Sequence, residues 1–192
     1  MPYPKSLLGV SVTVNVIPAP LYYVSPGLIS GVVPFAASGS TATVVVTSNG
    51  VTSNSVAVPL ALTAPGIFTL LQNGLGDGAT LHANYYLVSA ANPARPREVV
   101  LVFLAGLGAV SPTVPDGDPA PAAEPLARVI SNASVTIDGL PCTVSYKGLA
   151  PMYAGLYQLN IQIPVGLAPG VHGLSIRTPE SFTSMANIEI GQ

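Results

Sequence analysis

Two histidines, one cysteine and a few carboxylates are the residues of this chain whose types suit catalysis or metal binding. His82 and His172 lie ninety positions apart. Neither has a Cys, Asp or Glu at the close spacing of a metal site or a base with its orienting group, so both read as surface histidines. Cys142 stands in an alternating stretch that puts Cys142, Val144 and Tyr146 inward and Thr143 and Ser145 outward. That makes it a buried, inert thiol, since nothing beside it lowers its pKa. Asp116-Gly117-Asp118 opens like a calcium loop but lacks a third acidic ligand and a distal glutamate, which leaves a turn in a proline-rich loop. Gly74-Leu75-Gly76-Asp77-Gly78 has neither a following helix nor a lysine, so it reads as a flexible loop rather than a phosphate cradle. There is no Gly-x-Ser-x-Gly elbow, and no catalytic, cofactor-binding or metal-binding residue is assigned.

Aromatic residues offer a different chemistry, namely stacking. Eight tyrosines and no tryptophan include the pairs Tyr22-Tyr23 and Tyr85-Tyr86 and the neighbours Tyr153 and Tyr157. One member of an adjacent pair in a strand has to face outward, which could form a platform for a glycan. No focus of polar side chains for sugar hydroxyls accompanies them. Asn132-Ala133-Ser134 is a glycosylation sequon, meaningful in a host that uses it.

Composition restricts the partners. Charged residues make up 7% of the 192 and the formal net charge is -2, far from the basic field that phosphate neutralisation demands, so nucleic acid is excluded as a partner. Lys5 is the only charged residue before Asp77. Mean hydropathy is +0.56, yet Pro and Gly interrupt every apolar run before the length of about 18 residues that a membrane span needs. Met1-Pro2-Tyr3-Pro4 lacks the charged and apolar regions of a secretory signal. The lone cysteine rules out an intrachain disulfide and leaves the redox compartment open.

The elements that must position these residues are strands. Twenty prolines, nineteen glycines and many β-branched residues exclude long helices and predict an all-β chain. Val10 to Asn15 alternates with period two and is closed by Pro18-Ala19-Pro20; Leu21 to Val24, Leu28 to Val33 and Thr41 to Thr47 follow. Ser48-Asn49-Gly50 predicts a type I′ hairpin that pairs Val51 to Leu62 back. After a looser stretch come Glu98 to Leu104, a bend at Ala105-Gly106-Leu107-Gly108, a polyproline excursion from Pro112 to Pro125, and strands at Val135 to Ile137, Cys142 to Tyr146, Tyr157 to Ile163, His172 to Arg177 and Asn187 to Ile190.

This order is written twice. Val12-Thr13-Val14, Pro18, Tyr23, Val32-Val33-Pro34, Thr52-Ser53 and Val56-Ala57-Val58 return about 123 to 132 positions later as Val135-Thr136-Ile137, Pro141, Tyr146, Ile161-Gln162-Ile163-Pro164, Thr183-Ser184 and Ile188-Glu189-Ile190. The expectation is two immunoglobulin-like β-sandwich units in tandem, residues 1–62 and 98–192, with 63–97 a connector packing against both. The second copy opens with the Glu98 strand, but only eleven residues precede Val12. The first sandwich is therefore expected to lack one strand.

Ala64-Pro65-Gly66-Ile67-Phe68, Ala105-Gly106-Leu107-Gly108, Gly148-Leu149-Ala150-Pro151 and Gly155-Leu156-Tyr157-Gln158-Leu159-Asn160 resemble the conserved C-terminal domain of secreted acidobacterial proteins first noted in Solibacter, across nearly the whole chain. Each half also resembles a TIG/IPT-type immunoglobulin-like module. The resemblance implies an extracellular or cell-surface location and a non-catalytic role. It breaks at Leu28-Ile29-Ser30, where the family repeats the polar pair present here as Gln158 and Asn160.

Together these features lead to a non-enzymatic extracellular structural or adhesive module without a cofactor, self-associating through β-strand edges as in a surface filament. The donor expected is the N-terminal stretch with Tyr3, Leu7 and Leu8, entering beside Val12 and Val14 of a neighbour, with the Thr63 to Leu87 stretch folding back as the intramolecular alternative. The competing reading is a carbohydrate-binding or cell-wall-docking accessory domain of a larger secreted protein, with a glycan as partner.

Overall fold

The computed structural model describes residues 1–180 and 182–192. Among the described residues there are eighteen strands in antiparallel sheets and no helix, hence none long and apolar enough to cross a membrane. The chain is all-β. It divides into two compact units, one of Met1–Leu62, Ser111–Ala127 and Ala150–Gly155, the other of Thr63–Val110, Arg128–Leu149 and Leu156–Gln192.

The first unit holds β1 (Val10–Val14), β2 (Ile17–Ala19), β3 (Leu21–Val24), β4 (Ile29–Gly31), β5 (Thr41–Ser48), β6 (Val51–Thr52) and β7 (Val56–Pro59). One sheet runs β2-β1-β5-β6, with β7 also on β5, and β3 and β4 form a separate pair. The predicted turn is present, with φ of 48° at Asn49 and 83° at Gly50. The strand expected over 51–62 is interrupted at Ser53, whose hydroxyl accepts from the Val46 amide and so takes a ladder position. Val14, Ala19 and Ala42, with Val12, Ala37, Val44, Val58 and Leu60 around them, form the core. The proline-rich excursion belongs here: the Tyr3 amide donates to Gly117 O (2.8 Å) and the Phe35 amide to Asp116 Oδ1 (2.9 Å).

The second unit holds β8 (Gly66–Ile67), β9 (Thr80–His82), β10 (Val99–Ala105), β11 (Val110–Ser111), β12 (Arg128–Val129), β13 (Ser134–Ile137), β14 (Leu140–Pro141), β15 (Thr143–Leu149), β16 (Tyr157–Gln162), β17 (Gly170–Arg177) and β18 (Thr183–Ile190). One sheet runs β11-β12-β15-β16-β10-β8, with β9 on β10, and the other runs β14-β13-β17-β18. Val100, Val102, Leu104, Leu159 and Ile161 on the first and Val135, Ile137, Leu174, Ile176, Ile188 and Ile190 on the second are buried in alternation. Two such rows, one per sheet, are what a β-sandwich core requires.

Residues 63–97, expected as a connector, are instead part of this unit. β8 and β9 pair with β10, and the loops at Gly76, Gly78 and Ala94 exchange backbone hydrogen bonds with Asn187, Glu189 and Gly191 along the outer edge of β18. A long edge strand exposes a row of unmet donors and acceptors, and this stretch meets them.

The duplication is visible in register. Val12 pairs with Val46 and Val14 with Val44, as Val135 pairs with Ile176 and Ile137 with Leu174, a shift of 123 positions on one strand and 130 on the other. Val44 faces Val56 as Leu174 faces Ala186. Both first hairpins turn through two left-handed residues, Asn15-Val16 and Asp138-Gly139, and then place a proline opposite a threonine. Even the irregularity is repeated: the register slips between Leu21 and Tyr23 and again between Val144 and Tyr146. That slip corrects the expected inward trio in the second copy, because Val144 and Tyr146 end on opposite faces of β15.

Gly106 closes β10 against the start of this unit. Its φ is 79°, and a Cβ there would stand 1.9 Å from the carbonyl oxygen of Ala64. The Gly106→Ala substitution is expected to destabilise the second unit by at least about 2 kcal/mol through left-handed strain and backbone collision, read as a lower urea midpoint.

Candidate functional site

Two clusters pair a histidine with a carboxylate. His82 ends β9 and is buried at 8% exposure, which corrects the surface reading. Its Nδ1 lies 2.5 Å from Glu98 Oε1 and its Nε2 3.1 Å from the carbonyl oxygen of Asn92. Glu98 Oε2 accepts the Arg95 amide at 2.9 Å. The antiparallel register that sets His82 opposite Val100 brings Glu98, just ahead of β10, to the imidazole.

His172 on β17 repeats the arrangement. Its Nδ1 is 2.7 Å from Asp138 Oδ2 and its Nε2 2.7 Å from Ala168 O, with the imidazole 12% exposed. Asp138 also accepts the Gly173 amide at 2.7 Å, so the cluster fastens the Asp138-Gly139 turn to β17.

Each imidazole therefore has an acceptor at both ring nitrogens, an arrangement met in full only when both carry a proton. Burial is the largest influence on His82 and opposes its charge, but the bonds to Glu98 and Asn92 and the Glu98 carboxylate outweigh it and raise its pKa above 6.5. The bond to Asp138 leads in raising His172, helped by Ala168 and opposed by partial burial. Its partner moves the opposite way, Asp138 being held below the usual carboxylate range by His172 and the Gly173 amide. An imidazolium with both nitrogens engaged has no lone pair with which to take a proton from a substrate, so these are clamps rather than bases.

The other sequence candidates resolve individually. Cys142 is half-buried between β14 and β15, its amide donating to Val135 O, and burial pushes the thiol up to about 11. Asp116 is spent on the Phe35 amide. In the glycine loop, the Gly74 amide donates to Thr69 Oγ1 and the Leu75 amide to Asn73 Oδ1, so its donors face inward and not toward a phosphate. Among the described residues no group of three or more His, Cys, Asp or Glu is placed to hold a metal ion. Tyr85 and Tyr86 stand side by side at a turn, 70% and 69% exposed. Tyr22 packs on Tyr3 with ring centroids 5.3 Å apart, and Tyr157 donates its hydroxyl to Gly108 O at 2.5 Å.

The residues expected to mediate assembly lie in one unit. The Leu7 and Val10 amides and carbonyls bond each other, Leu8 is exposed in the turn between them, and Val12 and Val14 have β5 on one side and β2 on the other. Pro4 O accepts the Leu21 amide at 2.8 Å. Tyr3 to Leu8 is thus seated at home, and β1 is paired along both edges. β4 pairs with β3 alone, so one of its edges has no strand beside it among the described residues. The histidine clusters did not stand out in the sequence, because the partners are 16 and 34 positions apart and meet only through strand register.

No family model, no curated protein and no solved structure matches this chain.

Because both folded histidines hold their protons more tightly than the unfolded value near 6.5, their stabilisation is complete below that pH and is lost as pH rises through the raised folded values. The urea midpoint is expected to fall over that alkaline window, and the fall should vanish in the double substitution His82→Gln with His172→Gln. For Cys142, maleimide labelling at neutral pH should be slow in the native protein and fast in denaturant; equal rates would refute the burial.

Proposed function

We propose that this chain is a non-enzymatic structural or adhesive module of the cell exterior that accepts an extended strand along β4. The carrying observation is the unequal completion of the two copies. Leu21 pairs with Gly31, Tyr23 with Ser30 and Val24 with Ile29, in the same register as Val144 with Ile161, Tyr146 with Asn160 and Lys147 with Leu159. β4 is therefore the counterpart of β16. β16, however, is flanked on its far side by β10, with Val102 opposite Leu159 and Val100 opposite Ile161; β4 has nothing there among the described residues.

The consequence shows in exposure. Leu159 is fully buried under β10, whereas Ile29, its counterpart, is half-buried, and Leu28, Val33 and Tyr23 around it are 58%, 56% and 48% exposed. An added strand would meet the free backbone groups and cover these side chains. Other edges are less inviting: β2 is three residues long and contains Pro18, and β7 ends in Pro59, which has no amide to offer. The resemblance to secreted acidobacterial domains and the sparse charge support the extracellular placement. Because Tyr3 to Leu8 is seated in its own unit, filament growth by that arm requires it to exchange between molecules.

The exposed Tyr85-Tyr86 pair favours the second reading, an accessory domain that stacks a glycan. Mass measurement across protein concentration separates the two. Strand uptake predicts concentration-dependent association that is abolished by Leu28→Asp with Val33→Asp, both exposed and so altering stability by no more than about 0.5 kcal/mol. A monomer at every concentration, with glycan binding lost in Tyr85→Ala with Tyr86→Ala, would instead establish the accessory reading.

A further inference from the structure

We propose that the cluster of His82, Glu98 and Asn92 is a proton-operated latch on the arm that follows the Tyr85-Tyr86 turn: protonated, it holds residues 89 to 92 against β9, and neutral, it releases them.

The connections are specific. The His82 amide donates to Tyr86 O and the Tyr85 amide to His82 O, both at 2.9 Å, so the backbone of the histidine is the base of the turn. Its side chain reaches the return arm, where Asn92 Nδ2 donates to Leu87 O at 3.2 Å and the Ser89 and Asn92 amides bond each other's carbonyls. One imidazole thus joins both sides of the segment from 82 to 92.

The proton that leaves on going alkaline is identified by its neighbours. Loss from Nδ1 would set a lone pair against a carboxylate oxygen at 2.5 Å; loss from Nε2 sets it against the neutral Asn92 carbonyl at 3.1 Å. Nε2 is the one that gives its proton to solvent. Nδ1–H stays on Glu98, and the Asn92 carbonyl, on an exposed residue, turns to water. The far end of the return arm then loses its tie at Asn92, while the bonds from Val88 N to Thr80 O and from His82 N to Tyr86 O keep its near end on β9 and β9 keeps its place on β10. Glu98 is the charged group acting on the imidazole. Arg95 and Arg97 on the same segment and the phenols of Tyr85 and Tyr86 on the turn are exposed, and Val100, across from His82 on β10, carries no charge.

This inference stands whether or not β4 accepts a strand. It is tested on the full chain by following the His82 ring resonance and the amide-exchange protection of Ser89 and Asn92 together, from about pH 5.5 to 9. The expected result is a fall in protection of about tenfold or more whose midpoint coincides with the His82 titration above 6.5, while protection on β10 is unchanged. In His82→Gln the step should disappear. In Glu98→Gln, which removes the charge but keeps an acceptor, both midpoints should move down together. A protection step that persists in His82→Gln, the absence of a step at the His82 midpoint, or a Glu98→Gln variant in which the two midpoints separate would each overturn the latch.

Discussion

Backbone amides and carbonyls along the rim of a sheet have to be met by another strand, by a loop or by water, and in this chain that requirement governs nearly everything else. With twenty prolines, nineteen glycines and few charges, the sequence can neither satisfy its backbone in helices nor lean on charged edge residues to repel a visitor. The second unit meets the requirement internally: 63–97 supplies β8, β9 and the loops that bond the edge of β18. The first unit has no such stretch. Its N-terminal residues close the rim at Leu21 and Val10 and leave the far edge of β4 without a strand among the described residues.

The strands, the hairpins and the duplication were legible because they depend on local patterns. Period-two alternation placed β1, and Asn49-Gly50 placed the turn from β5 to β6, since those residues tolerate the left-handed conformation the turn imposes. The eleven residues ahead of Val12 are the ground for expecting the first copy to be one strand short. What was not legible depends on which chain segment finds which edge. The stretch from 63 to 97 has short apolar pieces such as Gly66-Ile67 and Thr80 to His82 that look like loop until β10 is beside them. The slip at Ser145 has no residue signal, and it alone moves Tyr146 to the face opposite Val144.

The histidines illustrate the same division. Spacing along the chain gave no hint of a partner because both carboxylates arrive through register, Glu98 from the end of a return arm and Asp138 from a hairpin turn. Once there, they place charge in a molecule that otherwise carries little of it. An imidazolium held by a carboxylate and a carbonyl is a directional fastener, and each one secures a turn rather than a strand. Turns are the parts that burial holds least, so the scarce ion pairs are located where the hydrophobic effect is weakest.

The two units also differ in what fills them. The second buries Leu104, Leu159, Ile161, Leu174 and Ile176, while the first buries Leu21 with the smaller Val10, Val14, Val114, Ala19 and Ala42. Smaller side chains bury less apolar area, and at roughly 25 cal/mol per Å2 the first unit has correspondingly less to set against its conformational entropy. A strand laid along β4 would add both missing contributions at once, ladder hydrogen bonds and the cover that β10 gives its counterpart Leu159. The half-exposed Ile29 and the exposed Leu28 and Val33 are therefore not scattered surface residues. On the proposed reading Ile29 stands where the second copy is covered by Val100 and Val102.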